Sequence, residues 1–147
     1  MSHADASATL RQLMDSLYVG VLATSKADRP YANLIAFAVP DNIFEMIFAT
    51  PRQSRKYENL AANPNVSMLI DNRSNDIADF KDAVAATAVG TAAEAAGSER
   101  ERYLAVFAAK HPHLDDFARD DATAVFRIIV EKYIMVSRFQ NVVEIAP

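Results

Sequence analysis

Apolar residues at Leu10, Leu13, Met14 and Leu17 follow an i, i+3, i+4, i+7 spacing, which lays one hydrophobic stripe along a helix. Asp5 or Ser7 is its expected N-cap. The period then shortens to that of strands. Residues 18–24 (YVGVLAT) read as a first strand and the polar residues 25–30 as a turn. Residues 31–39 form a second strand, with Tyr31, Asn33, Ile35 and Phe37 on one face and Ala32, Leu34, Ala36 and Ala38 on the other. Pro40-Asp41-Asn42 is a tight turn and residues 43–50 a third strand, so these two strands are expected to pair as a hairpin. A short helix starts near Ser54, carries Tyr57, Leu60 and Ala61, and stops at Asn63-Pro64-Asn65.

Residues 66–71 are a fourth strand, and the polar stretch 72–82 is a loop with one helical turn at 77–80. Residues 84–93 read as a fifth strand, in which Gly90 marks a bulge or a close approach. Ser98-Glu99-Arg100-Glu101 has capping-box spacing and opens a helix through Tyr103, Leu104 and Phe107 to His111-Pro112. Residues 123–137 alternate over a long β-branched run, and 142–145 are placed to close the sheet. Six or seven strands, with helices at ends and crossings, make an α+β fold with a barrel-like antiparallel sheet. At 147 residues, the whole of 1–147 is read as a single domain.

The composition, 51% hydrophobic and 23% charged, is that of a globular chain. A net charge of −4 argues against nucleic acid or an anionic membrane surface as a partner. The absence of cysteine excludes disulfides and thiolate metal sites. No apolar run reaches the ~18 residues of a membrane span, and no signal peptide is visible. A soluble, cytoplasmic protein is expected.

Against that acidic background, Thr50-Pro51-Arg52-Gln53-Ser54-Arg55-Lys56 stands out. It places three cations where a strand ends and a helix begins. Unpaired N–H groups already make a helix N-terminus positive, so Arg55 and Lys56 each cost roughly 0.3–1 kcal/mol there. Hydroxyls, free N–H groups and cations in one place suit a phosphate; the alternative is a solvated basic turn.

The stretch FATPRQSRKYENLAANPNVSMLI, residues 48–70, resembles the FMN-binding split β-barrel family typified by pyridoxamine 5′-phosphate oxidase. The likeness rests on Thr50, Ser54-Arg55-Lys56, Asn63-Pro64, Val66-Ser67 and the apolar strand that follows. The resemblance implies a six- to seven-stranded Greek-key split barrel and a homodimer with FMN at its interface. It implies that Ala49 and Thr50 lie beside the ribityl-phosphate arm, that Arg55 and Lys56 pair with the phosphate, and that Ser54 donates a hydroxyl. The backbone of Asn33, Leu34, Ile35 and Ala36 would run along the isoalloxazine ring. Where the family's oxidases carry Arg and then Lys on that strand, this chain has Asn33 and Ala38, and Arg52 is the expected substitute cation. It also lacks their Trp-bearing C-terminal segment, having no tryptophan. The implied activity is therefore not pyridoxamine phosphate oxidation but that of a general flavin-dependent oxidoreductase acting on a small molecule. The alternatives are a non-catalytic flavin carrier or sensor, or a deazaflavin- or haem-binding relative on the same barrel.

Other features carry less. His111-Pro112-His113 with Asp115 and Asp116 reads as surface residues past a helix stop rather than a metal site. Tyr18, Tyr57, Tyr103 and Tyr133 are expected as half-buried packing residues. Arg138-Phe139 reads as packing, with reach to a partner subunit's flavin as the alternative. Three glycines leave no dinucleotide fingerprint.

Overall fold

The computed structural model describes residues 2–138 and 140–147. Its helices are α1 (His3–Ser16), α2 (Arg55–Ala62), α3 (Asp79–Asp82), α4 (Gly97–Lys110) and α5 (Asp115–Arg119). The strands are β1 (Val19–Lys26), β2 (Arg29–Ala36), β3 (Glu45–Pro51), β4 (Asn65–Asp71), β5 (Ala85–Glu94), β6 (Thr123–Ser137) and β7 (Asn141–Ile145). They form one antiparallel sheet in the order β2-β1-β4-β5-β6-β3, with β7 on β6. The 15-residue β6 supports both β3 and β7 by pairing Thr123–Ile129 with the first and Tyr133–Ser137 with the second. The two ends of the sheet meet at a single bridge, where Ala38 and Ile47 exchange N–H···O bonds of 2.9 and 2.8 Å. The result is the expected α+β split barrel.

Alternation explains most of the packing. Gly20, Leu22 and Thr24 of β1, Val66, Met68 and Ile70 of β4, and Ala86, Ala88 and Ala92 of β5 are buried on the barrel's inner face. Leu10, Leu13 and Met14 of α1 join that core. β3 is buried on both faces: Met46 and Phe48 enter the barrel core, while Ile47 and Ala49 pack with Tyr103, Leu104 and Phe107 of α4. Gly90 sits at a break in register, where Val89 pairs with Lys132 but Gly90 pairs with Val130, which is the bulge expected there.

Several expectations are corrected. β2 pairs with β1, not β3, through a two-residue turn in which Ala27 and Asp28 have φ of 51° and 62°. Residues 37–44 are too long for a tight hairpin, and β3 is drawn to β6 instead. The N-cap of α1 is Ser2, in a capping box with Asp5, so neither Asp5 nor Ser7 caps it. Ser98 forms no capping box, because Gly97, at φ 61°, starts α4 one residue earlier and puts Ser98 inside the first turn. The turn expected at 77–80 is α3, two residues later, after a loop in which Asp79 accepts from the N–H groups of Ser74, Asn75 and Asp76. Tyr103 and Tyr133 are fully buried, and Tyr18 is 64% exposed rather than half-buried. Arg138 lies in the β6–β7 turn at φ 47°, whereas Phe139 lies outside the described residues.

His111 is also not on the surface. It is 1% exposed, packs 4.9 Å from the Phe107 ring, and places Nε2 2.7 Å from the Phe37 carbonyl. A carbonyl only accepts, so Nε2 carries the proton. Burial lowers the His111 pKa, the bond to Phe37 partly offsets this, and Lys110 and His113 lower it further. The unfolded chain thus binds a proton that the folded chain resists, so stability is lost as pH falls through about 6.5 and below. Urea unfolding between pH 8 and 5 should show that loss, and His111→Gln should flatten it.

Candidate cofactor-binding site

The corner between β3 and α2 is built around Ser54. Its side chain accepts from the Tyr57 N–H at 3.2 Å and donates to the Pro51 carbonyl at 2.7 Å, with Thr50 Oγ1 3.1 Å away. Thr50 is fully buried beneath it. Ser54 is thus the N-cap of α2, and its single proton is committed to Pro51. Donating to a phosphate would require releasing that bond. Ser54→Ala should cost about 1 kcal/mol of stability, read as a shift in the denaturant midpoint at unchanged m.

Three cations flank this cap in different states. Arg52 is tied down: its guanidinium meets Glu94 at 2.6 Å and the Asp121 carbonyl at 3.0 Å, while Tyr57 donates to the same carboxylate at 2.9 Å. Its N–H also bonds the Ala122 carbonyl at 2.8 Å. Arg52 therefore straps the end of β3 to β5, to the loop before β6 and, through Glu94, to α2. Arg55 is exposed, with its guanidinium 5.4 Å from the centre of the Tyr31 ring, and has no carboxylate partner among the described residues. Lys56 is half-buried, and no hydrogen bond or ion pair holds its ammonium among the described residues. Burial alone pulls its pKa below the usual lysine range. The N–H groups of Arg55 and Lys56, in the first turn of α2, also have no acceptor among the described residues. A half-buried cation without a counter-charge, beside two free amides, is a ready anion site.

The second wall is β2. Register opposite Leu22 places Asn33 on the barrel-facing side, along with Tyr31 and Ile35. Asn33 Nδ2 donates to the Leu34 carbonyl at 3.0 Å, but Asn33 Oδ1 is buried with no partner. Leu34 faces the other way and is 69% exposed; Ala36 shares that face and is half-buried. Outside the bridge at Ala38, β2 is an edge strand, whose alternate N–H and C=O groups point away from β1. The stacking of Arg55 on Tyr31 joins this strand to the corner. Ala49 is buried toward α4, so only its backbone is offered to a ligand.

The fold thus gathers Thr50, Arg52, Ser54, Arg55 and Lys56 in one corner, sets Asn33, Leu34, Ile35 and Ala36 on the adjoining strand β2, and leaves Ala49 on β3 next to Thr50. Lys26, Arg29, Tyr31 and Glu94 lie beside this corner and were not singled out from the sequence. Two cations beside a turn were the visible signal for Lys26 and Arg29, whereas Glu94 lies 42 residues from Arg52 and gave none.

The sequence model of pyridoxamine 5′-phosphate oxidase matches residues 6–137, nearly the whole barrel. The chain belongs to the pyridoxamine 5′-phosphate oxidase family. A search of curated proteins finds no match. Among solved structures, the haem-binding protein from Mycobacterium smegmatis superposes with a TM-score of 0.85 at 18% identity, covering 99% of this chain and 58% of that one. The chain thus spans less than two thirds of that protein. HutZ, the haem storage protein of Vibrio cholerae, gives 0.74 at 16% identity, with 89% and 93% of the two chains covered. An FAD-binding protein from Mesorhizobium loti gives 0.70 at 19% identity, with 88% and 90% covered. At these identities the likeness is one of fold. No helix among the described residues is long and apolar enough to cross a membrane.

Proposed function

We propose that this family member is an FMN-binding flavoprotein and acts as a flavin-dependent oxidoreductase on a small molecule. The observation that carries the reading is Lys56, half-buried and, among the described residues, without a counter-charge, beside Arg55 and two amides with no acceptor at the start of α2. Arg55 and Lys56 would hold the phosphate, Thr50 and Ser54 would shape the corner, and Arg52 would fix it through Glu94. Asn33 Oδ1 offers a buried acceptor to a ligand donor, and the backbone of residues 33–36 offers a polar edge to a flat ring. These groups fit an anionic, planar cofactor. A bound flavin would supply hydride and electron transfer, which explains why no acid–base dyad is needed from the chain.

The fold is shared with haem-binding proteins, so haem is the second reading. For the chain's one buried histidine the geometry is unhelpful: His111 Nε2 is already held by Phe37 O, 2.7 Å away. Arg55 and Lys56 would then pair with the haem propionates, so the corner alone does not separate the two readings. A visible spectrum of the purified protein separates the two, because flavin bands support FMN and a Soret band with no flavin bands would sink it. Reduction by NADH or NADPH in stopped flow then separates enzyme from carrier.

A homodimer with flavin at the interface completes the proposal. Tyr18, Val19 and Leu34, respectively 64%, 51% and 69% exposed, make an apolar surface on the outer side of β1 and β2, the strand whose backbone would line the ring. Leu34→Glu should convert a dimer into a monomer in sedimentation velocity. A protein that is monomeric from the start would contradict this part of the reading.

A further inference from the structure

Beside the phosphate corner lies a second basic cavity, of about 450 Å³, lined by Lys26, Arg29, Pro30, Tyr31, Arg55, Glu58 and Asn59. It is contiguous with the corner, because Arg55 and Glu58 also line the 440 Å³ hollow formed by Arg52, Gln53 and Ser54. Each of its cations sits where local physics disfavours it. Lys26 and Arg29 are direct cross-strand partners, and like charges placed opposite each other destabilise a hairpin. The turn that brings them together holds two non-glycine residues, Ala27 and Asp28, at positive φ. Arg55 occupies the first turn of α2, against the helix dipole. The only carboxylate in the lining is Glu58, which already pairs with Lys26 at 3.1 Å. Arg29 and Arg55 are left without a counter-charge among the described residues.

Three unfavourable placements converging on one cavity point to an anion that offsets them. We infer that this cavity binds the outer phosphate and adenosine of a dinucleotide flavin, so that FAD is held better than FMN. The inference rests on the reading of the α2 corner as the flavin phosphate site. A group joined to that phosphate would pass the guanidinium of Arg55 and enter the cavity. There Arg29 meets a second phosphate, and a base would lie along Pro30 and the Tyr31 ring, beside the Arg55 guanidinium that already covers one face of that ring. The cavity is of a size that accommodates a nucleotide-sized ligand.

Calorimetric titration of the apo protein with FMN, FAD and ADP tests this without any assay of activity. FAD should bind at least tenfold more tightly than FMN. Arg29→Ala, an exposed position, should erase that difference by weakening FAD and leave FMN within threefold of wild type. Equal affinity for FMN and FAD in the wild type would overturn the inference, as would an equal loss of both in Arg29→Ala. ADP separates this from the underlying reading. If neither flavin binds but ADP does, and Arg29→Ala weakens it tenfold or more, the nucleotide subsite stands and the flavin reading falls. If ADP and both flavins all fail to bind, the subsite falls too.

Discussion

Removing both cations of the α2 corner, in Arg55→Ala with Lys56→Ala, should weaken FMN at least tenfold while the fold survives. Each charge-assisted contact to a phosphate is worth about 1.5–3 kcal/mol, and neither side chain is used in an ion pair among the described residues. Their removal should also spare the helix, since both cations oppose its dipole. Arg52→Ala makes the contrasting case. Its guanidinium is engaged by Glu94, 2.6 Å away, and by the Asp121 carbonyl, so the change should lower the melting temperature while weakening FMN less than the double variant does. Fluorescence titration with FMN and thermal melts on both variants decide the matter. Unchanged affinity in the double variant, with a large loss in Arg52→Ala, would transfer the phosphate to Arg52.

Gly90→Ala should be the most damaging single-methyl change in the barrel. A Cβ at position 90 would lie 2.1 Å from the Ile129 carbonyl oxygen and 3.0 Å from its carbon. That neighbour is the backbone of β6, which also carries β3 and β7, so it cannot swing aside as a side chain would. Relief would need the β5–β6 bulge to reopen, at about 3 kcal/mol or more. At this chain length that corresponds to a fall of roughly 10 °C in melting temperature. Gly20→Ala is the milder companion: its nearest neighbours, Ile70 Cγ2 at 3.0 Å and the Leu69 carbonyl oxygen at 3.1 Å, need give way by only a few tenths of an ångström. A thermal melt showing both variants equally stable would contradict the close approach at Gly90.

How much of this was legible along the chain depended on the distance over which each feature is decided. The strand at 123–137 was readable to the residue, because its long β-branched run is sharply bounded, even though Thr123–Phe126 are buried on both faces and alternation sets in only after them. Gly90 was readable as a bulge because a glycine inside a β pattern has few other reasons to be there. The pairing of β2 was not, since adjacency in sequence favours whichever neighbour shares the clearer turn. Pro40-Asp41-Asn42 looked like that turn, whereas Ala27-Asp28 lacks the Asn-Gly signature of a two-residue hairpin. Burial of β3 on both faces left a trace, its continuous run of buried residues from Met46 to Thr50, but only α4 packed against it gives that run meaning.

The site divides the same way. Thr50, Ser54, Arg55 and Lys56 lie within one turn-and-helix start, so their convergence was visible as a local breach of helix electrostatics. Arg52 was also in view, but the carboxylate that occupies it comes from the far end of β5. Arg29 and Tyr31 enter only because α2 folds back over β1, through Asn59 to Thr24 at 3.0 Å and Asn63 to Ser25 at 2.9 Å. No spacing along the chain announces that contact.

The central claim is that this corner exists to hold a flavin phosphate. The visible absorption spectrum of the protein, purified and then equilibrated with FMN and gel-filtered, tests it most directly. The two flavin bands should travel with the protein and shift from those of free FMN. A colourless protein after gel filtration, or a Soret band in place of flavin bands, would contradict the account.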